Sequence, residues 1–124
     1  MQKRRLARFQ KASPMNRSLH GSLFRNLPDA TEEERFEELS RVKSFRIERI
    51  ISAGQVSPPG FWFDQPNEEW VLVVQGKAEI SLLDPDETIR LSAGDWLMIA
   101  AHRKHRIEFT SRELPTIWLA VHGA

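Results

Sequence analysis

Two spacings in the second half of the chain constrain its fold most strongly. Glu69 is followed seven residues later by Gly76, and Gly94 is followed eleven residues later by His105. In each case a side chain that can bind a metal lies near a glycine turn, inside a region where apolar and polar residues alternate. The arrangement predicts a small β-barrel that directs a carboxylate and an imidazole into its own mouth.

Short strands separated by turn signals account for most of the chain after residue 42. Residues 45–51 nearly alternate between apolar and charged, and breakers such as Ser57–Gly60 and Asp84–Asp86 divide the later strands. Strands closely spaced in this way, with almost no helix, predict a sandwich or barrel. The predicted strands span residues 45–51, 61–63, 70–75, 77–83, 88–91, 96–100, 106–109 and 116–121.

One short helix is predicted ahead of the strands. Thr31 is a good N-cap, and Glu34 lies three residues on, which completes a capping box. Phe36 and Leu39 are three residues apart and can share one buried face of a helix. The sequence therefore predicts a helix over Glu32–Leu39.

Basic residues are concentrated at the N-terminus. Residues 1–17 carry six of the 18 lysines and arginines and no acid, so the rest of the chain has 12 bases against 17 acids. Such an arm could contact nucleic acid or an acidic surface. Because no aromatic platform or base-reading motif accompanies it, we interpret residues 1–18 as a disordered extension and expect no nucleic-acid partner. Residues 19–124 are predicted to form one domain.

The composition excludes several classes of site. The chain has no cysteine, so disulfides and thiolate ligands are impossible, and any metal must be held by His, Asp or Glu. No apolar run approaches the roughly 20 residues that span a bilayer, and no signal-peptide pattern follows the basic N-terminus. We therefore expect no membrane partner and a cytoplasmic location. Motifs of serine hydrolases, P-loop proteins and dinucleotide-binding proteins are also missing.

Two segments of the sequence resemble the motifs of the cupin superfamily. The stretch from Glu69 to Gly76 resembles E-x6-G, the end of the first motif, and the stretch from Gly94 to His105 resembles the second motif, G-x5-P-x-G-x2-H. The resemblance covers about residues 42–122, and Trp118–His122 is similar to the ending of a group of small bacterial cupins. It implies an all-β fold, a cupin-type jelly-roll barrel, often homodimeric. It also implies a divalent metal in the barrel mouth: Fe, Mn, Zn or Ni.

The first motif departs from the family pattern. Cupins normally carry H-x-H three or four residues before the glutamate. With a separation of four, those places are Trp62 and Asp64; with three, they are Phe63 and Gln65, so neither arrangement contains histidine. Asp64 is the best substitute, because a carboxylate oxygen is a hard metal ligand.

The second motif departs as well, since Ala100 stands in place of proline and His102 in place of glycine. The resemblance implies a metal held by Asp64, Glu69 and His105, with His102 and His122 as possible further ligands. The metal would assist an oxygenation or an isomerisation of a small polar or aromatic metabolite.

Each candidate residue could instead have a purely structural role. Trp62, Gln65 and Trp118 are candidates for contacting a ligand, although tryptophans in a barrel are more often part of the core. Glu69 could instead pair with an arginine, and His105 could be satisfied by hydrogen bonds within the barrel. Because the H-x-H pair is missing, the alternative function is a non-catalytic binding or sensor module without metal. A regulator that contacts nucleic acid through its basic arm is a third possibility.

Overall fold

The regular structure of the chain is all β-strand over residues 20–123, which are the residues that the computed structural model describes. The strands are β1 (Arg35–Val42), β2 (Phe45–Ser52), β3 (Glu69–Gln75), β4 (Lys77–Leu82), β5 (Glu87–Ser92), β6 (Trp96–Ile99), β7 (His105–Thr110) and β8 (Thr116–Gly123). They form a five-stranded sheet in the order β1-β2-β8-β3-β6 and a three-stranded sheet in the order β5-β4-β7, all pairs antiparallel. The predicted all-β jelly-roll fold is confirmed.

The core lies between the two sheets. Side chains alternate along each strand, so that Glu69, Val71 and Val73 of β3 are buried while the residues between them are partly exposed. Both sheets contribute to one apolar cluster, which joins them. Its buried members are Val71, Val73, Ala78, Ile80, Leu82, Leu91, Trp118 and Ala120.

The helix predicted over Glu32–Leu39 is wrong, because Arg35–Val42 forms strand β1. The backbone N–H and the hydroxyl of Thr31 both donate to Asp29 Oδ1, at 2.9 and 2.7 Å, and Glu34 forms no capping box. Residues 35–42 pair along their length with β2, including Phe36 opposite Ile50. Backbone hydrogen bonds to a partner strand thus override a weak local preference for helix.

The basic arm of residues 1–18 lies outside the described residues. Between residues 20 and 123, no helix is long and apolar enough to cross a membrane.

The outer face of the five-stranded sheet is apolar along three neighbouring strands. Trp96 and Met98 are 60% and 47% exposed, and the rings of Trp70 and Trp96 stack at 6.1 Å. Leu72 and Leu119, which face each other on β3 and β8, continue the same face. An exposed apolar face of this kind is typical of a protein contact surface.

Candidate functional site

A cavity of about 230 Å³ lies between the two sheets. The greater part of its lining is apolar, with polar groups concentrated on the five-stranded sheet. The lining residues are Glu34, Phe36, Arg46, Glu48, Ile50, Phe63, Gln65, Glu69, Val71, Ile80, Ile99, His105, Ile107, Trp118 and His122.

Strand register places three polar groups in one row at one end of this cavity. Glu69 of β3 lies opposite His122 of β8, which lies opposite Arg46 of β2, so the three form a row across the sheet. Ile50 and Trp118 form an apolar row, which lies four residues along β2 and β8 from Arg46 and His122. Since neighbouring strands bring side chains on one face within about 5 Å of each other, the row at the polar end forms one connected polar surface.

Glu69 is a buried carboxylate with few partners. Its side chain is 10% exposed, it accepts no hydrogen bond from the described residues 20–123, and its ion-pair partner among them is His122, whose Nε2 lies 3.7 Å from Glu69 Oε2. Burial raises the pKa of Glu69, and the charges of His122, His105 and Arg46 partly oppose this effect. Glu69 therefore retains a proton more readily than an exposed glutamate does, which suits a group that gains and loses protons.

Hydrogen bonds assign the protons of the two imidazoles. His122 Nε2 lies 3.0 Å from Glu48 Oε1, so its N–H donates to that carboxylate. His105 Nδ1 lies 3.0 Å from the carbonyl oxygen of Arg103, which can only accept, so Nδ1 carries the proton. In neutral His105 the other nitrogen, Nε2, is then a hydrogen-bond acceptor.

Glu34 is a cavity residue that sequence reasoning missed. Ser52 Oγ donates to Glu34 Oε2 at 2.5 Å, and Trp118 Nε1 donates to Ser52 Oγ at 3.1 Å. Burial raises the pKa of Glu34, and the bond from Ser52 partly opposes this. The capping-box pattern concealed Glu34, because it assigned the residue to a helix; no other signal in its neighbourhood indicates a cavity position.

The structure separates the predicted site residues into two groups. Gln65, Glu69, His105, His122 and Trp118 line the cavity. The remaining candidates, Trp62, Asp64 and His102, are not among the lining residues.

Successive side chains of an extended chain point in opposite directions, which explains why only some of residues 62–65 line the cavity. Phe63 exchanges two backbone hydrogen bonds with His105, at 2.7 and 3.1 Å, and its ring stacks on the imidazole at 5.3 Å. Phe63 and Gln65 therefore face the cavity, and Asp64 faces away, where its carboxylate binds His102 Nδ1 at 2.9 Å. Two alignments of the missing H-x-H pair are possible, three or four residues before Glu69. The alignment with three residues agrees with the cavity lining, and it puts Phe63 and Gln65 in the histidine positions.

Comparison with family models assigns the fold to a known group. The model of the cupin domain matches residues 49–122, more than half of the chain. The chain belongs to the cupin family. Comparison with curated protein sequences gives no significant match.

Solved structures similar to this cupin include one with high sequence identity. A protein from Ralstonia eutropha JMP134, named a candidate mannose-6-phosphate isomerase, is 47% identical, with a TM-score of 0.79 over 84% of this chain and 96% of that one. A cupin superfamily protein from Desulfitobacterium hafniense DCB-2 is 20% identical, with a TM-score of 0.63 over 78% and 83% of the two chains. The cupin domain of Schizosaccharomyces pombe Cnp3 is 17% identical, with a TM-score of 0.70 over 87% and 70%. The last two comparisons support the fold alone.

The side chains of this cupin do not fit the divalent metal that the family implies. Within residues 20–123, no group of three or more His, Asp or Glu side chains is disposed to hold a metal ion. Asp64 lies outside the cavity and binds His102, which leaves Glu69 and His105 without the predicted third ligand. His122 does not replace it, since its Nε2 proton is directed at Glu48.

Proposed function

We propose that this cupin binds a small metabolite in the cavity between its sheets and isomerises it by proton transfer, with Glu69 accepting and returning the proton. This proposal is carried by the burial of the Glu69 carboxylate, which accepts no hydrogen bond from the described residues and has His122 Nε2, at 3.7 Å, as its ion-pair partner. Leaving a buried carboxylate without hydrogen bonds costs free energy, which a purely structural role does not explain. A substrate group in the cavity would supply the missing partner.

The chemistry needs one carboxylate and no further reagent. Ionised Glu69 removes a proton from a carbon atom next to a carbonyl group. The electrons of the broken C–H bond form a carbon–carbon double bond, and the carbonyl oxygen becomes an enolate. Protonated Glu69 then returns the proton to the enolate oxygen, which gives the enol isomer, so that no proton or electron is gained overall. The Gln65 amide, which also lines the cavity, can donate a hydrogen bond to the enolate oxygen.

The relative from Ralstonia eutropha supports the same reaction class. It is named a candidate isomerase and is 47% identical to this chain. Oxygenation, the other reaction expected from the sequence, requires a group that activates oxygen, and the donor set around Glu69, within residues 20–123, does not fit a metal. Isomerisation by proton transfer is therefore the reaction that we carry forward. The cytoplasmic location, the homodimer and the absence of a nucleic-acid partner stay predictions.

Hydrogen–deuterium exchange tests this proposal even while the substrate is unidentified. Mannose 6-phosphate, dihydroxyacetone, phenylpyruvate and 4-methyl-2-oxopentanoate are each incubated with the protein in deuterated buffer, and NMR follows exchange at the carbon next to the carbonyl. We expect the protein to accelerate exchange of at least one compound, and Glu69→Gln to lower that rate by about 100-fold or more. Glu79→Gln, in a carboxylate that binds Arg90 on the surface of the three-stranded sheet, is the matched control and should leave the rate unchanged.

A second candidate function is a binding module without catalysis. The commitment of both His105 Nδ1 and His122 Nε2 to hydrogen bonds within the protein favours it, because neither nitrogen is then free to take part in a reaction. Binding of a compound without accelerated exchange of any of the four would support this function. The same result, or exchange that persists in Glu69→Gln, would contradict the proposed isomerase.

A further inference from the structure

We infer that the cavity is built for a small carboxylate with an apolar body, whose carboxylate group binds Arg46 and whose body packs near Trp118. The inference rests on the proposed function, because it takes the cavity around Glu69 as the binding site. It adds the class of substrate and a residue that selects it.

Arg46 supplies the positive charge at the polar end of the cavity. It is half-buried and is the only lysine or arginine among the lining residues. Within the part of the chain that the structure describes, its guanidinium forms no salt bridge and no side-chain hydrogen bond, whereas Arg49 on the same strand binds Glu37 at 2.6 Å. Arg46 faces the cavity and, among residues 20–123, its side chain makes no hydrogen bond or salt bridge, so its guanidinium can still bind the two oxygens of a carboxylate.

The cavity wall changes from polar to apolar along the strands. Arg46 and His122 form the polar row, and Ile50 and Trp118 form the apolar row four residues away along β2 and β8. At about 3.3 Å per residue, the two rows are roughly 13 Å apart along the strand. A ligand with its charged group near Arg46 therefore directs its other end toward Trp118. The cavity is smaller than the roughly 300–1,000 Å³ typical of drug-sized ligands, which limits that body to a small one.

The charges of the lining favour a monoanion over a sugar phosphate. Glu34, Glu48 and Glu69 all line the cavity, and His122 donates to Glu48. Burial raises the pKa of both Glu34 and Glu69, which favours their neutral forms, but Arg46 is the only lysine or arginine in the lining that could balance a phosphate dianion. Near Trp118 the polar side chain of the lining is Glu34, which already accepts a hydrogen bond from Ser52, so most hydroxyl groups of a sugar would find no partner there.

Calorimetric titration with matched pairs of compounds tests the inference. The probes are phenylpyruvate, cinnamate and 4-methyl-2-oxopentanoate, each with its methyl ester, which keeps the body and removes the charge, together with mannose 6-phosphate. We expect at least one acid to bind about 10- to 100-fold more tightly than its ester and more tightly than mannose 6-phosphate. Arg46→Gln should weaken binding of that acid by a similar factor and leave the affinity of its ester unchanged.

Two further variants make the outcome unambiguous. Arg46→Lys should retain part of the preference for the acid, which shows that a folded cavity is still present, and Arg90→Gln, on the outside of the barrel, should change nothing. Equal affinity for acid and ester, tighter binding of mannose 6-phosphate, no binding of any acid, or an unchanged acid affinity in Arg46→Gln would overturn the inference. Glu69→Gln should still bind the acid, so a failed isomerase proposal appears as absent exchange with the Arg46 dependence intact.

Discussion

Glu69 begins β3, between Ile99 of β6 and His122 of β8. The seven-residue spacing to Gly76 is sufficient to select it as a candidate, because a polar residue at that place in a cupin motif faces the barrel. Its behaviour as an acid depends on neighbours that the spacing does not specify. His122 lies 53 positions further along the sequence, and only strand pairing brings its imidazole to Glu69.

The buried carboxylate of Glu69 should reduce stability at neutral pH. Because burial raises its pKa in the folded protein above the usual 4.5, the folded state binds this proton more tightly than the unfolded state does. The stabilising contribution is complete below pH 4.5 and is lost as the pH rises through the raised pKa. We therefore expect Glu69→Gln to increase the Tm at pH 7 by a few degrees, on the order of 1 kcal/mol, with the gain disappearing near pH 4.

Thermal unfolding followed by circular dichroism across pH 4–8 measures this effect. Glu79→Gln is the control, since that carboxylate is on the surface of the barrel and binds Arg90. A Tm for Glu69→Gln equal to or below that of the wild type at pH 7 would show that Glu69 is structural, and it would also weaken the proposed function.

Strands β2 to β8 lie close to the positions predicted from alternation and turn residues, whereas β1 does not. Period-two alternation is a local signal, and in β2 and β4 it is nearly regular. The strand predicted over residues 61–63 is reduced to a single bridge between Phe63 and His105. Residues 32–39 instead combine a capping-box pattern with many glutamates, which locally favours helix. The pairing of β1 with β2 decides their conformation, and that pairing is a tertiary interaction.

The β3–β4 turn should be sensitive to any side chain at Gly76. Gly76 has φ +82°, and a Cβ built there would lie 2.9 Å from Thr116 Cα. Gly94 has φ +96°, yet nothing lies within 4 Å of its Cβ position. We expect both alanine variants to carry a left-handed backbone penalty of about 1 kcal/mol, and Gly76→Ala to lose roughly 1–3 kcal/mol more because backbone must move.

Urea unfolding measures the free energy of unfolding of both variants. Because their backbone penalties are similar, the difference between the two losses gives the cost of the close contact with Thr116. Equal losses of unfolding free energy for Gly76→Ala and Gly94→Ala would show that the close approach to β8 contributes little.

The cavity exists only in the whole molecule, because its walls come from both sheets. Glu69 and His122 belong to the five-stranded sheet, and His105 to the three-stranded one. The polar end of the cavity therefore holds a carboxylate and two imidazoles that no local pattern brings together. The homodimer, which also belongs to this scale, stays a prediction that light scattering would check.

The metal content of the purified protein tests whether the side chains of the barrel can hold a divalent metal. We expect purified protein, from cells supplied with Fe, Mn, Zn and Ni, to contain less than about 0.1 equivalent of any of them, because Asp64 faces away from Glu69 and His105. Elemental analysis by mass spectrometry measures this directly. A stoichiometric metal that is lost in Glu69→Ala but retained in Asp64→Ala would contradict the expectation and assign Glu69 as a ligand.

The sequence by itself determined most of the strands after residue 42, the glycine turns and the cupin family, because alternation, turn residues and motif spacing are encoded within a few neighbouring positions. The tertiary structure decided that residues 35–42 are a strand, that Gln65 and not Asp64 faces the cavity, and that Glu34 enters it. Each of these depends on which distant strand supplies the partner for a hydrogen bond or the cover for a side chain. The free energy of burial and pairing is set by that partner, so it is absent from any short window of the sequence.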